Sequence, residues 1–294
     1  MSTTERAALA PDELSMNTVS ATSMTDSITI IPDRPASERP AGVPGSRRAL
    51  QPASKRELFR MALNERSDPE PFYTKLAERS IAEFPFPLRD RFVLDLGAGP
   101  GHYTAALVRA GADVVPLDLG SENMRKAADA GLAAVHGDAT RLPFPDASFD
   151  GVFCSNMLEH VPAATSVIDE IERVTKPGGW AWISWTNWYS PWGGHDITPF
   201  HFAGPHLGPK LFEKVTKRTP ERNPVFAGLW PTFVGQVLAD VRSRPTLRVL
   251  DAVPRYYPSM RWILKVPGLR EVATWNCLIM VERTDVPRAD GGAA

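Results

Sequence analysis

Glycines at alternate positions, Gly97, Gly99 and Gly101, follow the apolar run VLDL and lead into a helix-compatible stretch from Tyr103. Glycine lets a backbone turn tightly and lets a ligand approach without meeting a Cβ, so this turn is a candidate ligand-binding loop. A dinucleotide pyrophosphate would call for G-x-G-x-x-G, with glycine at 102, yet position 102 is His. The pyrophosphate reading therefore loses ground.

A second concentration of chemistry lies in Trp180 to His206, WAWISWTNWYSPWGGHDITPFHFAGPH. It holds five of the chain's eight tryptophans, too many for an ordinary surface loop, together with His195, Asp196, His201 and His206. Trp and Tyr faces stack on sugars or pack on apolar chains, and a His held by a carboxylate is a candidate general base. His195, with Asp196 beside it and Gly193–Gly194 before it to permit a sharp turn, is the favoured base, and His201 is the second. The competing reading makes Trp180, Trp182 and Trp185 sheet core and the histidines turn caps. These histidines lack a recognisable zinc-ligand spacing, so no metal is expected.

The elements that must position these groups are short apolar runs separated by helical segments: FVLDL, ADVVPLD, AAVHGD, FDGVFCSN, WAWISW, TLRVLDAV and NCLIMVER. Strands alternating with helices predict a parallel sheet covered on both faces. KRELFRMALNER is helix-compatible, and Asp68 can cap a second helix that carries Pro69, Glu70 and Pro71 in its first turn. Residues 187–245 and 254–275 interrupt the alternation as additions on the substrate side, and a substrate would be recognised there. Residues 1–53 are rich in Ser, Thr, Pro and Ala without a sustained period, which predicts a disordered extension. Residues 284–294 are read as a flexible tail, leaving 54–283 as one domain.

Lys and Arg total 33 against 34 Asp and Glu, so the electrostatic footprint of a nucleic-acid binder is missing and a small or neutral substrate is favoured. Cys154 and Cys277 lie in apolar, strand-like runs without metal-ligand spacing, which predicts buried thiols in a reducing compartment. The amino terminus carries acidic residues and no apolar core, and no apolar run approaches the roughly 18 residues of a membrane span. A cytoplasmic location is expected.

Strand, D-x-G-x-G-x-G turn and helix resemble the first motif of the class I methyltransferases that use S-adenosylmethionine (SAM). Four further elements follow in that family's order: a second strand ending at Asp118, then GDATRL, then LPFPDASFDGVFCSNMLEHV, close to the small-molecule and lipid branch, and finally VTKPGGWAWISW. The resemblance covers about residues 92–186 tightly and the last two strands more loosely. It implies a Rossmann-like, doubly wound α/β sheet of seven strands with the last one antiparallel. It implies SAM as cofactor, held by Asp95, Gly97 and Ala98 at the methionine end, Gly99 and Gly101 under the ribose, and Asp118 on the ribose hydroxyls. Asp138 and Ala139 would meet the adenine, and Asn156 the methionine amino group.

Each role has a structural competitor: Asp95 can merely organise its turn, and Asp118 can cap a helix. Glu159 and His160 suggest an acid/base pair, but the same dipeptide recurs in the family without catalytic duty, so they are assigned to structure or to the SAM pocket. NPVFAGLWPTFVG and PRYYPSMRW are similar to actinobacterial methyltransferases associated with the cell envelope, which implies a glycan or glycolipid hydroxyl as acceptor, with a small natural product or quinone-like molecule as alternative. A nicotinamide-dependent oxidoreductase would want glycine at 102 and a catalytic pair that the sequence does not offer. A non-catalytic module on the same fold stays as the third reading.

Overall fold

The computed structural model describes residues 50, 52–62, 69–221 and 223–285. The expected extension at 1–53 and the tail at 284–294 lie largely outside them, as does Asp68.

The apolar runs form one seven-stranded sheet. Its strands are β1 (Phe92–Leu96), β2 (Asp113–Asp118), β3 (Val135–His136), β4 (Phe149–Ser155), β5 (Thr175–Thr186), β6 (Leu247–Pro254) and β7 (Asn276–Arg283). Their order across the sheet is β3-β2-β1-β4-β5-β7-β6. β1 to β5 run parallel, and β7 pairs antiparallel with both β5 and β6. The expected antiparallel last strand is thus present, inserted between its two predecessors.

Helices α1 (Lys55–Ala62), α2 (Pro69–Ala82), α3 (His102–Arg109), α4 (Ser121–Asp129), α5 (Ala164–Val174), α6 (Leu207–Thr216), α7 (Val234–Ser243) and α8 (Leu269–Ala273) complete the elements. α5 buries Val167, Ile168, Ile171 and Val174, and α7 buries Val234, Val237, Leu238 and Val241, one helical stripe each against the same face of the sheet. Each such side chain contributes about 1.5–3 kcal/mol of gross burial. α2 and α3 cover the opposite face through Ala77, Ile81, Ala106 and Leu107, packed with Val93, Phe153, Trp180 and Trp182. This doubly wound arrangement leaves the carboxyl ends of the parallel strands as the open edge where ligands bind.

Two readings of the sequence change here. α7 packs with α5 and β6 into the main core, so the addition after β5 is shorter than 187–245 and ends before Val234. That added segment also has a small core of its own, Trp188, Ile197, Phe212 and Leu229. Trp180, Trp182 and Trp185 are sheet core, as the competing reading had it, and both cysteines are buried and free.

Candidate active site

The glycine turn leaves β1 at the carboxyl edge. Gly97 and Ala98 donate to the Leu117 carbonyl at 2.8 and 3.0 Å, which ties the turn to the end of β2. Gly97 has φ +76°, and a Cβ there would lie 2.6 Å from Met157 Cγ; Gly99 has φ +52° and nothing within 4 Å of its Cβ position. The first glycine is demanded by its neighbour. The second faces open space of the kind a ligand fills.

Asp118 ends β2 and receives Gly99 N at 2.8 Å on Oδ2 and Gly120 N at 2.7 Å on Oδ1. Its carboxylate is half-buried and retains lone pairs for a diol, since a carboxylate offers about four acceptor sites. Leu119 beside it is 71% exposed, an apolar side chain that a flat base would cover. Asp138 is exposed, and its Oδ1 receives both Thr140 N and Thr140 Oγ1 at 2.8 Å, so a ligand donor would meet Oδ2. Ala139 packs on the main core next to it.

Asp95 is buried, and its Oδ2 accepts from Thr104 Oγ1 at 2.5 Å. Burial pushes its carboxyl up to about 7, with the charge of Asp118 adding to the shift. A buried carboxyl that lacks a counter-charge suits a cationic ligand group. Asn156 sits at φ 54°, donates its backbone N to the Ser184 carbonyl at 2.8 Å, and receives Asn276 Nδ2 on Oδ1 at 2.7 Å. The residues the sequence assigns to SAM therefore share one edge, with a cation-ready carboxyl at one end and an exposed leucine beside a diol acceptor at the other. They fit that group.

The acceptor-side residues are arranged differently from the sequence reading. His201 is fully buried, with Nε2 on the Ser190 carbonyl at 2.9 Å and its ring edge-on to Trp188, so it packs within the added segment. Trp188, in the same tryptophan-rich stretch, is 1% exposed. Asp196 Oδ2 receives Asn223 N at 3.2 Å, and the Asp196 charge also acts on the neighbouring His195. His195 meets His160, ring centroids 5.2 Å apart, and one ligand atom each of Glu159, His160 and His195 lie within 4.8 Å of one another. Burial pushes His195 down to about 4, with the neighbouring His160 adding to it, so its ring is neutral. Burial pushes the Glu159 carboxyl up.

A family model described as a methyltransferase domain matches residues 94–183. An uncharacterized methyltransferase of Mycobacteroides abscessus is 33% identical over 234 residues, covering 74% of this chain and 89% of its own. One from Mycolicibacterium gilvum is 34% identical over 236 residues, covering 75% and 90%. The chain belongs to the SAM-dependent methyltransferases. A methyltransferase solved in complex with the Haloferax volcanii Trm112 methyltransferase activator superposes with TM-score 0.51 at 18% identity, covering 80% of this chain and 100% of its own, and shares the fold.

Within the methyltransferase, sequence reasoning passed over two residues at this edge and left unread the partner of two others. Leu119 carried no signal beyond its place after Asp118, and Asn276 none beyond opening the last strand. Glu159 and His160 were read in isolation because their partner His195 is 35 residues away (195 − 160) and only the return of the chain after β5 joins them. No helix among the described residues is long and apolar enough to cross a membrane.

Proposed function

We propose that the methyltransferase methylates a hydroxyl group of a small-molecule, glycan or glycolipid acceptor held between the carboxyl edge of the sheet and the two added segments. The observation that carries this reading is the convergence of Glu159, His160 and His195 where the segment after β5 folds back over the end of β4. SAM supplies a methyl group on a positively charged sulfur, and the chain has to present a nucleophile in line with it and exclude water. A hydroxyl is a poor nucleophile until its proton is loosened, so it requires a polar group at the reacting atom in a way an amine does not. His195 is that group, backed by His160 and Glu159.

Asp95, Gly97, Ala98 and Asn156 are assigned to the methionine end of SAM, Gly99, Gly101 and Asp118 to the ribose, and Leu119, Asp138 and Ala139 to the adenine. The choice of acceptor follows from the rim. Trp192 is 58% exposed and stands edge-on to Trp275, 38% exposed, at 5.0 Å, which joins the two added segments in an aromatic surface. Aromatic faces of this kind stack on sugar rings or pack on apolar chains. The net charge of -1 favours the same acceptors over nucleic acid, and a cytoplasmic location is consistent with the use of SAM.

The test is incubation of the protein with methyl-labelled SAM and a panel of sugar, glycolipid, phenol and amine acceptors, with products identified by mass spectrometry. Label in an O-methyl ether supports the proposal. Label confined to amines refutes it.

A further inference from the structure

We propose that Glu159, His160 and His195 form a binding site for one divalent transition-metal ion of the zinc or ferrous class. Two atoms able to ligate, Glu159 Oε2 and His195 Nε2, are buried and without a hydrogen-bond partner among the described residues. Glu159 itself is 1% exposed. Leaving such atoms unpaired is costly, more so for a charged group, so they mark a position that a further group completes. Two imidazoles and one carboxylate are a ligand set suited to zinc and to ferrous iron, and three protein ligands leave coordination positions open.

The backbone holds each ligand in the orientation such a site needs. Glu159 Oε1 receives Thr186 N at 2.9 Å, which turns Oε2 toward the histidines. His160 Nδ1 donates to the Gly228 carbonyl at 2.7 Å, which leaves the Nε2 lone pair for a metal; a ligating histidine commonly hydrogen-bonds a carbonyl through its other nitrogen in this way. His195 is held at φ 46° with its N on the Trp192 carbonyl at 2.9 Å. Ligands around a cation at roughly 2.0–2.2 Å lie about 3–3.5 Å from one another, within rotamer adjustment of the spacing seen here.

The site's use in catalysis rests on the acceptor reading above; metal binding does not. An acceptor hydroxyl on an open coordination position would lose its proton to water more readily, keeping the O–H electron pair on oxygen. His195 then serves as a ligand in place of a base.

The experiment is titration of the full-length, chelator-treated protein with Co²⁺, followed by calorimetry and visible absorption. The expected result is one bound equivalent with absorption bands of nitrogen and oxygen coordination, displaced by Zn²⁺. His195→Gln and Glu159→Gln should each weaken Co²⁺ binding by at least the roughly 10- to 100-fold that loss of an outer partner alone costs. Glu159→Gln keeps an amide oxygen for Thr186, and His195→Gln alters a loop; unchanged SAM affinity shows that either variant is folded. Sub-stoichiometric binding, or affinity unaffected by His195→Gln, overturns the proposal. Full-rate methylation by metal-free protein refutes the catalytic use and leaves O-methylation standing, whereas stoichiometric metal binding with only amines methylated does the reverse.

Discussion

Two carboxylates at the cofactor edge have opposite environments, and the difference sets what each contributes. Asp118 is half-buried and already receives two backbone amides, which leaves it further lone pairs as an acceptor for hydroxyls. Asp118→Ala should weaken SAM binding by about 10- to 150-fold, equivalent to roughly 1.5–3 kcal/mol for charge-assisted hydrogen bonds. Calorimetry measures this directly, and unchanged affinity would remove Asp118 from the ribose. Asp95 titrates near 7 against 3.8 for an unperturbed carboxyl, because burial penalises its charge. The folded apo-protein therefore binds this proton more tightly than the unfolded chain, and through this group it loses stability as pH rises from about 4 to 7. A cationic ligand reverses the preference. SAM affinity should fall as pH drops through 7, by at most about tenfold per unit for one linked proton. Asp95→Asn should flatten that profile, and a slope that survives the substitution would exclude Asp95 as its source.

At the scale of elements, the strand runs were legible because buried parallel strands read as continuous apolar stretches bounded by glycine and acidic residues. The turn between β1 and α3 was legible for the same kind of reason: its glycines are local necessities. Gly97→Ala would drive a Cβ to 2.6 Å from Met157 Cγ at a positive φ, while Gly99→Ala meets nothing. The first should therefore lose about 1–3 kcal/mol of stability from strain, and the second less. Thermal melts of the pair check this, and equal losses would contradict the steric account. The packing of α7 was not legible, because Val234, Val237, Leu238 and Val241 follow directly on a Pro- and Gly-rich segment, and only contact with α5 and β6 separates scaffold from addition. Arg244, 11% exposed, closes that junction by binding Asp169 at 2.6 Å, Glu172 at 3.0 Å and Asp240 at 3.0 Å. Arg244→Ala should cost about 2–3 kcal/mol in chemical denaturation, below the full value of a buried network because Asp169 remains 59% exposed.

For the whole molecule, the division of labour runs between the scaffold, which holds the cofactor, and the added segments, which complete the reacting site. The residues proposed for the cofactor stand together in the sequence because they cluster within short motifs on consecutive strands. On the acceptor side the sequence names His195, which lies with Glu159 and His160 beyond the end of β4, and His201, which is buried on the Ser190 carbonyl. Sequence adjacency does not specify which side chains face each other; the return path of the chain does. The separability of the two halves is tested most directly by measuring SAM affinity and single-turnover methyl transfer for His195→Gln beside the unsubstituted protein. The account predicts a rate lower by roughly 10²- to 10⁴-fold with SAM affinity within about twofold, the signature of a group acting on the acceptor alone. An unchanged rate, or a parallel loss of both, would contradict it.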